Sequence, residues 1–307
     1  MDTYTLITEK EDIGSRIDTW IAWNIEDMTR SGVQKLIEQG NITINDHIVK
    51  NNYRLRLGDV AKVLVPEAVP VEILAEDIPL DILYEDEDVI VLNKPQGMVV
   101  HPAAGHLAGT VVNALLYHCK GQLSGINGVM RPGIVHRIDK DTSGVIMAAK
   151  NNMAHQSLAK QLAEHSITRK YTAVVFGKLQ EESGTVDQPI ARSSQDRKKM
   201  AVVPGGRHAV THYKVIERLG KYTVIEAQLE TGRTHQIRVH MSYIGHPLVG
   251  DTVYGTKRQP VNLLGQALHA RVLGFVHPRT GQYMEFEAVL PAYFDKLILK
   301  LKNLSQV

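Results

Sequence analysis

A stretch with three closely spaced prolines, Pro66, Pro70 and Pro79, most restricts how this chain of 307 residues can fold. Proline lacks a backbone donor and disfavours a helical residue before it, so neither a helix nor a central strand is expected to run through the stretch. The prolines divide the chain into a small and a much larger part. We predict one domain over residues 1–65, an extended linker over 66–80 and a second domain over 81–307.

The small N-terminal part has the periodicities of a compact α/β unit. One face of a predicted helix over 16–23 is apolar, and a second helix is expected over 32–39. Short strands are predicted over 41–45 and 57–65. Because two helices and a small sheet bury little apolar surface, we expect this unit to have little independent stability.

The larger part mixes strands and helices without strict alternation. This order favours an antiparallel or mixed sheet over a doubly wound parallel one. The predicted fold class is therefore α+β, with a large domain built on a mixed or antiparallel sheet with flanking helices. The strands are predicted over 89–92, 145–149, 171–176 and 222–229, and the helices over 110–118, 152–165 and 234–244, the last capped by Thr234.

The composition leaves several function classes open. The formal net charge is +2 and the pI about 8.5, so binding to a polyanion would depend on local clusters of Lys and Arg. The single cysteine, Cys119, allows no intrachain disulfide and is expected in the core. The first residues lack the pattern of a signal peptide, and no uncharged apolar stretch approaches the roughly 18 residues of a membrane span. We therefore predict a cytoplasmic location.

The most unusual segment is a charged loop over 136–142 that lies between two apolar runs. Ser143-Gly144 supplies a turn at its end. A loop that is held by strands is a common place for reactive groups. Composition alone favours a solvated loop without a chemical role, because most loops are charged.

The same segment resembles the signature H-R-L-D-x-x-T-S-G of the RluA/RluD family of pseudouridine synthases, with Ile138 in place of Leu. The resemblance extends from about Leu83 to Leu290, and the N-terminal unit from Arg16 to about Val65 is similar to an S4 RNA-binding domain. Further family motifs occur in the expected order at 92–102, 169–173, 231–238, 250–255 and 269–270.

This resemblance implies an isomerase that converts uridine in RNA to pseudouridine and needs no cofactor. It assigns Asp139 as the catalytic nucleophile, Arg238 as its guanidinium partner and Tyr171 as the residue against the uracil ring. A guanidinium opposes the rise in pKa that burial would cause in a carboxylate. Arg137 resembles the family residue that fills the space left by the extruded base.

Basic side chains are expected to hold the RNA. Arg197, Lys198 and Lys199 lie in a turn-rich stretch that corresponds to a mobile RNA-gripping loop of the family, which predicts phosphate contacts. A solvated charge cluster without a partner is an equally frequent outcome of such a run. The RNA-contacting side chains predicted in the S4-like unit are Arg30, Lys35 and Arg54.

Large-subunit (23S) ribosomal RNA, free or in precursor particles, is the expected partner, because the S4-like unit favours structured ribosomal RNA. Neither a membrane nor an obligatory protein partner is expected. Two alternatives are a non-catalytic RNA-binding or ribosome-assembly factor and a synthase that acts on transfer RNA. The joint presence of Asp139, Tyr171 and Arg238 argues against the first alternative. No metal site is predicted, since neither H-E-x-x-H nor paired Cys/His spacing occurs.

Overall fold

The computed structural model describes residues 2–25, 28–65, 73–102, 106–126, 128, 131–196, 199–256 and 258–304. The chain forms two compact units, Met1–Pro70 and Val71–Val307. Among the described helices, none has both the length and the apolar character needed to cross a membrane.

The first unit packs two helices against a four-stranded antiparallel sheet of order β1-β4-β2-β3. Apolar residues of both helices, among them Ile21 and Val33, are fully buried against the sheet. Asn45 and Asp46 both have positive φ, which suits the tight turn between β2 and β3. Its elements are β1 Asp2–Ile7, a 3-10 turn Lys10–Asp12, α1 Ile17–Asn24, α2 Arg30–Glu38, β2 Ile42–Ile44, β3 His47–Ile48 and β4 Val60–Val65.

The predicted linker over 66–80 is described only in part, because residues 66–72 lie outside the described residues. Residues 73–80 form neither helix nor strand, as expected of a linker. They nevertheless pack on the second unit: Ile73 is buried, and the Asn113 side chain donates to the Leu74 carbonyl oxygen at 2.8 Å. The linker assignment therefore stays a prediction.

The second unit is built on a nine-stranded sheet of order β5-β6-β7-β14-β8-β13-β12-β9, with β15 paired to β14. All pairs are antiparallel except β7 with β14, so the sheet is mixed. Its strands are β5 Ile82–Glu85, β6 Val89–Lys94, β7 Ser143–Ala149, β8 Thr168–Phe176, β9 Ser183–Asp187, β12 Val210–Leu219, β13 Tyr222–Leu229, β14 Leu268–Val276 and β15 Tyr283–Glu287. A separate hairpin joins β10 Ile190–Arg192 to β11 Met200–Val202.

Helices cover both faces of this sheet. The helices are α3 Val111–His118, α4 Asn152–Ala163, α5 Gln236–Tyr243 and α6 Ala292–Leu304. Alternate residues of β6 belong to different cores: Ile90 and Leu92 pack with α3 and α5, whereas Val89 and Val91 pack with α4. Burial on both faces explains why β6 and β7 read as continuous apolar runs. The α+β class is confirmed.

Candidate active site

Asp139 lies in the loop that enters β7, and Lys94 holds the backbone of this loop. The Lys94 Nζ atom donates to the carbonyl oxygens of Pro95, Met98 and Lys140 at 2.8, 2.9 and 3.0 Å. Lys94 itself is 1 % exposed at the end of β6. Because Lys140 follows Asp139 directly, the buried ammonium of Lys94 holds the candidate catalytic loop against the end of β6.

His136 anchors the other end of the loop to β7. Its Nε2 atom accepts a hydrogen bond from the Met147 backbone N–H at 3.0 Å. Burial, with a smaller contribution from the charge of Arg169, lowers the pKa of His136 to about 3. A neutral ring with a free lone pair on Nε2 is what this bond requires, so His136 acts as a structural acceptor.

Arg238, on α5, pairs with Asp139. Its Nη1 atom lies 2.9 Å from Asp139 Oδ2. Its other two nitrogens bind the buried carboxylate of Asp251, with Nε 2.7 Å from Oδ2 and Nη2 3.0 Å from Oδ1. One planar guanidinium thus satisfies three carboxylate oxygens, a geometry that lysine cannot supply.

Both Asp251 and Arg238 remain charged. Burial raises the pKa of Asp251, but hydrogen bonds from Arg238 and from the backbone N–H groups of Tyr254 and Val253 outweigh it and hold that pKa below its usual value. Burial lowers the pKa of Arg238, yet the bonds and charges of Asp251 and Asp139 raise it above its usual value. Arg238 is therefore a permanent cation beside Asp139.

His235 approaches the second oxygen of Asp139. Its Nε2 atom lies 3.8 Å from Asp139 Oδ1, and its Nδ1 atom lies 2.8 Å from the Tyr254 hydroxyl.

The predicted cap of α5 was wrong. His235, not Thr234, is the N-cap, and its φ of +56° places it in the left-handed region without a side-chain cap bond.

Tyr171 lies on β8 and lines the same cleft as Asp139. Burial raises the pKa of Tyr171, the Arg169 charge opposes that shift, and the Asp139 charge adds to it. The ring is 8 % exposed and its hydroxyl stays protonated at neutral pH. The structure therefore brings Asp139, Tyr171 and Arg238 together at one cleft.

This cleft has a volume of about 780 Å³ and is strongly cationic. Asp139 is the sole carboxylate among the described residues that line it. A cleft with several cations around one anion suits a polyanionic ligand that positions an electrophilic centre at Asp139. The arginines that line it are Arg131, Arg137, Arg169, Arg207, Arg233 and Arg238.

The other predicted RNA contacts have mixed outcomes. Arg197 and Lys198 lie outside the described residues, and Lys199 precedes β11 in the β10–β11 hairpin. In the first unit, Lys35 is exposed on α2. The Arg30 Nε atom binds the buried Asp18 carboxylate, although half of its side chain remains exposed, and Arg54 Nη1 donates to the Gly14 carbonyl oxygen.

Four residues of the site had no predicted role. Lys94, Asp251, His235 and Tyr254 all lie within family motifs noted above, but the motifs carry no information about contacts. Their roles follow from burial and hydrogen bonding, which a linear pattern does not show. A lysine that ends an apolar strand, as Lys94 does, is the one local signal of a buried cation.

One carboxylate–histidine group has spacing that could suit a metal ion. The ligand atoms of Asp86, Asp88 and His277 lie within 4.8 Å of one another. Neighbouring side chains already bind these carboxylate oxygens, however. Arg279 binds Asp88 through Nε and Nη2, and His277 Nε2 bonds to Asp86 at 2.8 Å. The group therefore joins the turn between β5 and β6 to the turn between β14 and β15.

Comparison with known proteins identifies the family. Residues 88–243 match the family model of RNA pseudouridylate synthases, and residues 16–60 match that of the S4 domain. The chain belongs to the RNA pseudouridylate synthase family. It is an isomerase that acts on RNA and carries an S4 RNA-binding domain.

Relatives of this pseudouridine synthase match over its whole length. It is 55 % identical over 303 residues to an uncharacterized RNA pseudouridine synthase of Bacillus subtilis, with 99 % of each chain covered. It is 48 % identical to the ribosomal large subunit pseudouridine synthase D of Zymomonas mobilis, covering 99 % of this chain and 100 % of that one. The solved structure of human RNA pseudouridylate synthase domain containing 1 matches 77 % of this chain and 98 % of its own, with 26 % identity and a TM-score of 0.56.

Proposed function

We propose that this synthase isomerises specific uridines of large-subunit (23S) ribosomal RNA, with Asp139 as the catalytic group. The observation that carries the proposal is the pairing of Asp139 with Arg238 inside a cleft that is otherwise cationic. Isomerisation breaks the N1–C1′ bond, turns the base and joins C5 to C1′. The proton lost from C5 is balanced by one gained at N1.

Asp139 must be ionised and reachable to act as a nucleophile. Its side chain is 20 % exposed, so it is shielded but open to the cleft. Arg238 occupies Oδ2 and leaves Oδ1 free of a hydrogen bond from that guanidinium. A fixed cation at this distance stabilises the carboxylate and orients it at the same time.

Tyr171 and Arg137 have supporting roles in this proposal. The protonated phenol of Tyr171 offers an apolar face with a polar tip, which suits stacking against a uracil ring. Arg137 is exposed and lines the cleft two residues before Asp139, a position from which it can enter the space left by a flipped base. The remaining arginines would bind phosphates, which position the RNA without reading its sequence.

Ribosomal RNA as the substrate rests on two observations. Relatives at 48 % and 43 % identity, from Zymomonas mobilis and Haemophilus influenzae, are named ribosomal large subunit pseudouridine synthase D. The chain also has an S4 domain with an exposed lysine on α2. Phosphate contacts of Arg197, Lys198 and Lys199, contacts of Arg30, Lys35 and Arg54, and a cytoplasmic location without an obligatory protein partner belong to the same proposal.

The test is tritium release from large-subunit ribosomal RNA labelled at uridine C5. Wild type is expected to release tritium, and Asp139→Asn is expected to release none while keeping its fold and RNA affinity. Asp295→Asn, the same isosteric change at an exposed carboxylate of α6, is the matched control and should stay active. Release by Asp139→Asn would remove Asp139 from the mechanism. Release from transfer RNA alone would identify transfer RNA, not ribosomal RNA, as the substrate. Release from neither RNA would favour a role as a ribosome-assembly factor.

A further inference from the structure

We infer that His235 is a positioning residue for Asp139 and that Tyr254 sets the tautomer of His235. The inference rests on the proposed role of Asp139. It goes beyond that role because it assigns two further side chains to the placement of the Asp139 carboxylate.

The first observation is the backbone of His235. A non-glycine residue in the left-handed region is uncommon, because its Cβ lies too close to the following carbonyl oxygen. His235 adopts it at the start of α5 and gains no capping bond from its side chain. The strained turn instead directs the imidazole between Asp139 and Tyr254, with contacts of 3.8 and 2.8 Å. Backbone strain of this kind is concentrated at active sites and ligand-binding sites, where the surrounding structure holds a side chain in place.

The second observation is the order of hydrogen bonds at Tyr254. Its hydroxyl oxygen accepts the backbone N–H of Met200 at 2.8 Å, so its own proton requires another acceptor. His235 Nδ1 lies at 2.8 Å and fills that need. Burial raises the pKa of Tyr254 and lowers that of His235, so the phenol keeps its proton and the ring is neutral.

The tautomer of His235 follows from this order. If Nδ1 accepts the Tyr254 proton, the proton of the neutral ring is on Nε2. Nε2 faces Asp139 Oδ1 at 3.8 Å, which is too long for a hydrogen bond but close enough for attraction. Arg238 holds Oδ2, while the His235 N–H restricts Oδ1 without occupying its lone pairs. Oδ1 is therefore the oxygen left free to react.

Met200, the first residue of β11, fixes the direction of this chain of hydrogen bonds. Without the Met200 N–H, the Tyr254 hydroxyl could accept a proton from His235 Nδ1 instead. The neutral ring would then face Asp139 with a lone pair that repels the free oxygen. The Met200 donor therefore selects the tautomer that orders Asp139.

A purely structural role of Tyr254 is the competing explanation. Tyr254 packs against the buried cluster of Ile190, Ala209 and Val239, and the Arg238 guanidinium lies 5.1 Å from the centre of its ring. Tyr254→Phe keeps all of this packing and removes only the hydroxyl. His235→Asn tolerates the left-handed backbone but is too short to reach Asp139. His235→Gln restores an amide donor near the place of Nε2.

The experiment measures single-turnover tritium release at saturating enzyme, together with the RNA dissociation constant, on full-length variants. Tyr254→Phe and His235→Asn are each expected to slow release about tenfold with an unchanged dissociation constant. His235→Gln should be faster than His235→Asn. The double variant Tyr254→Phe/His235→Asn should be no slower than His235→Asn alone, because the two side chains act as one unit. Tyr243→Phe, an exposed tyrosine at the end of α5, is the control and should match wild type.

Two results would overturn the inference. One is additive slowing in the double variant, which would mean independent roles. The other is a wild-type rate in both single variants. If Asp139→Asn is inactive in the same assay, either result leaves the proposed function standing, whereas an active Asp139→Asn would remove the proposed function itself.

Discussion

Asp251 binds Arg238 through both carboxylate oxygens, with Nε 2.7 Å from Oδ2 and Nη2 3.0 Å from Oδ1. Asp251 is fully buried and Arg238 nearly so, and their pairing leaves only Nη1 of the guanidinium for Asp139. Asp251 therefore orients the Arg238 guanidinium toward Asp139, although Asp251 itself does not line the cleft.

Asp251→Asn should destabilise the protein by about 3 kcal/mol, because it leaves a buried guanidinium without its anionic partner. The single-turnover rate should fall at least about tenfold as Arg238 loses its orientation. Urea denaturation and tritium release measure the two effects. Glu182→Gln, which breaks the exposed pair of Glu182 with Arg218, is the control and should change little. An Asp251→Asn protein with wild-type stability and rate would contradict this account.

Arg238→Lys should slow the chemical step by about a hundredfold, because an ammonium cannot bind Asp251 at two points and Asp139 at a third. The RNA dissociation constant should change much less, since many other arginines line the cleft. The measurement compares the single-turnover rate and the RNA dissociation constant of Arg238→Lys with those of wild type. Arg271→Lys, in the exposed pair with Glu287, serves as the matched control. A loss of affinity with an unchanged rate would assign Arg238 to RNA binding instead.

Lys94 should make the rate pH-dependent. Burial lowers the pKa of Lys94 to about 7, with Asp141 and Asp139 opposing the shift. As pH rises through about 7, the amine keeps two protons for three carbonyl acceptors, so the loop of Asp139 loosens and the rate should fall. Single-turnover release from about pH 6 to about pH 9 measures this effect.

The effect of Lys94 on stability should run the other way: the free energy of unfolding should rise with pH, whereas the rate falls. Its folded-state pKa lies below the usual 10.5, so between about pH 7 and 10.5 the unfolded chain binds more protons. This contribution is therefore lost as pH falls through about 7 and is fully present above 10.5. Relative to Lys94→Met, wild type should therefore gain unfolding free energy as pH rises from about 7 to 10.5. A difference that is constant from neutral to alkaline pH would show that Lys94 does not titrate there.

Lys35→Gln tests the S4 domain as an RNA-binding surface. Loss of one phosphate contact should weaken binding and reduce the slope of log K against log salt by about 0.7–0.9. Lys62→Gln, a lysine of the same unit whose Nζ is already paired with Asp46, is the control. Affinity measured on the full chain at several salt concentrations checks both. Equal slopes for wild type and Lys35→Gln would exclude Lys35 from the interface.

Several elements could be predicted from local patterns alone. The strand over 222–229 has the predicted bounds. The helix predicted over 110–118 begins one residue later, at Val111, and Thr110 caps it through its side chain. Cys119 is buried, as its apolar surroundings indicate. Periodicity works for such segments because each buries a face that its own side chains define.

Other elements depend on partners far along the chain. The strand β1, Asp2–Ile7, was not predicted, because it is stabilised by pairing with β4, from Asp2 with Val65 to Ile7 with Val60. The start of α5 at His235 was missed for a related reason. A left-handed histidine is unfavourable locally and is held by its contacts with Tyr254 and Asp139.

The sequence by itself determined the fold class and the family and predicted the candidate site residues, because motifs and periodicity are linear properties of a chain. Tertiary structure alone decided how those residues meet. Asp139 and Arg238 are 99 positions apart, and Lys94 reaches the Lys140 carbonyl over 46 positions. Hydrogen bonds act only within about 3 Å, so which side chains pair at the site depends on the packing of the sheet and helices.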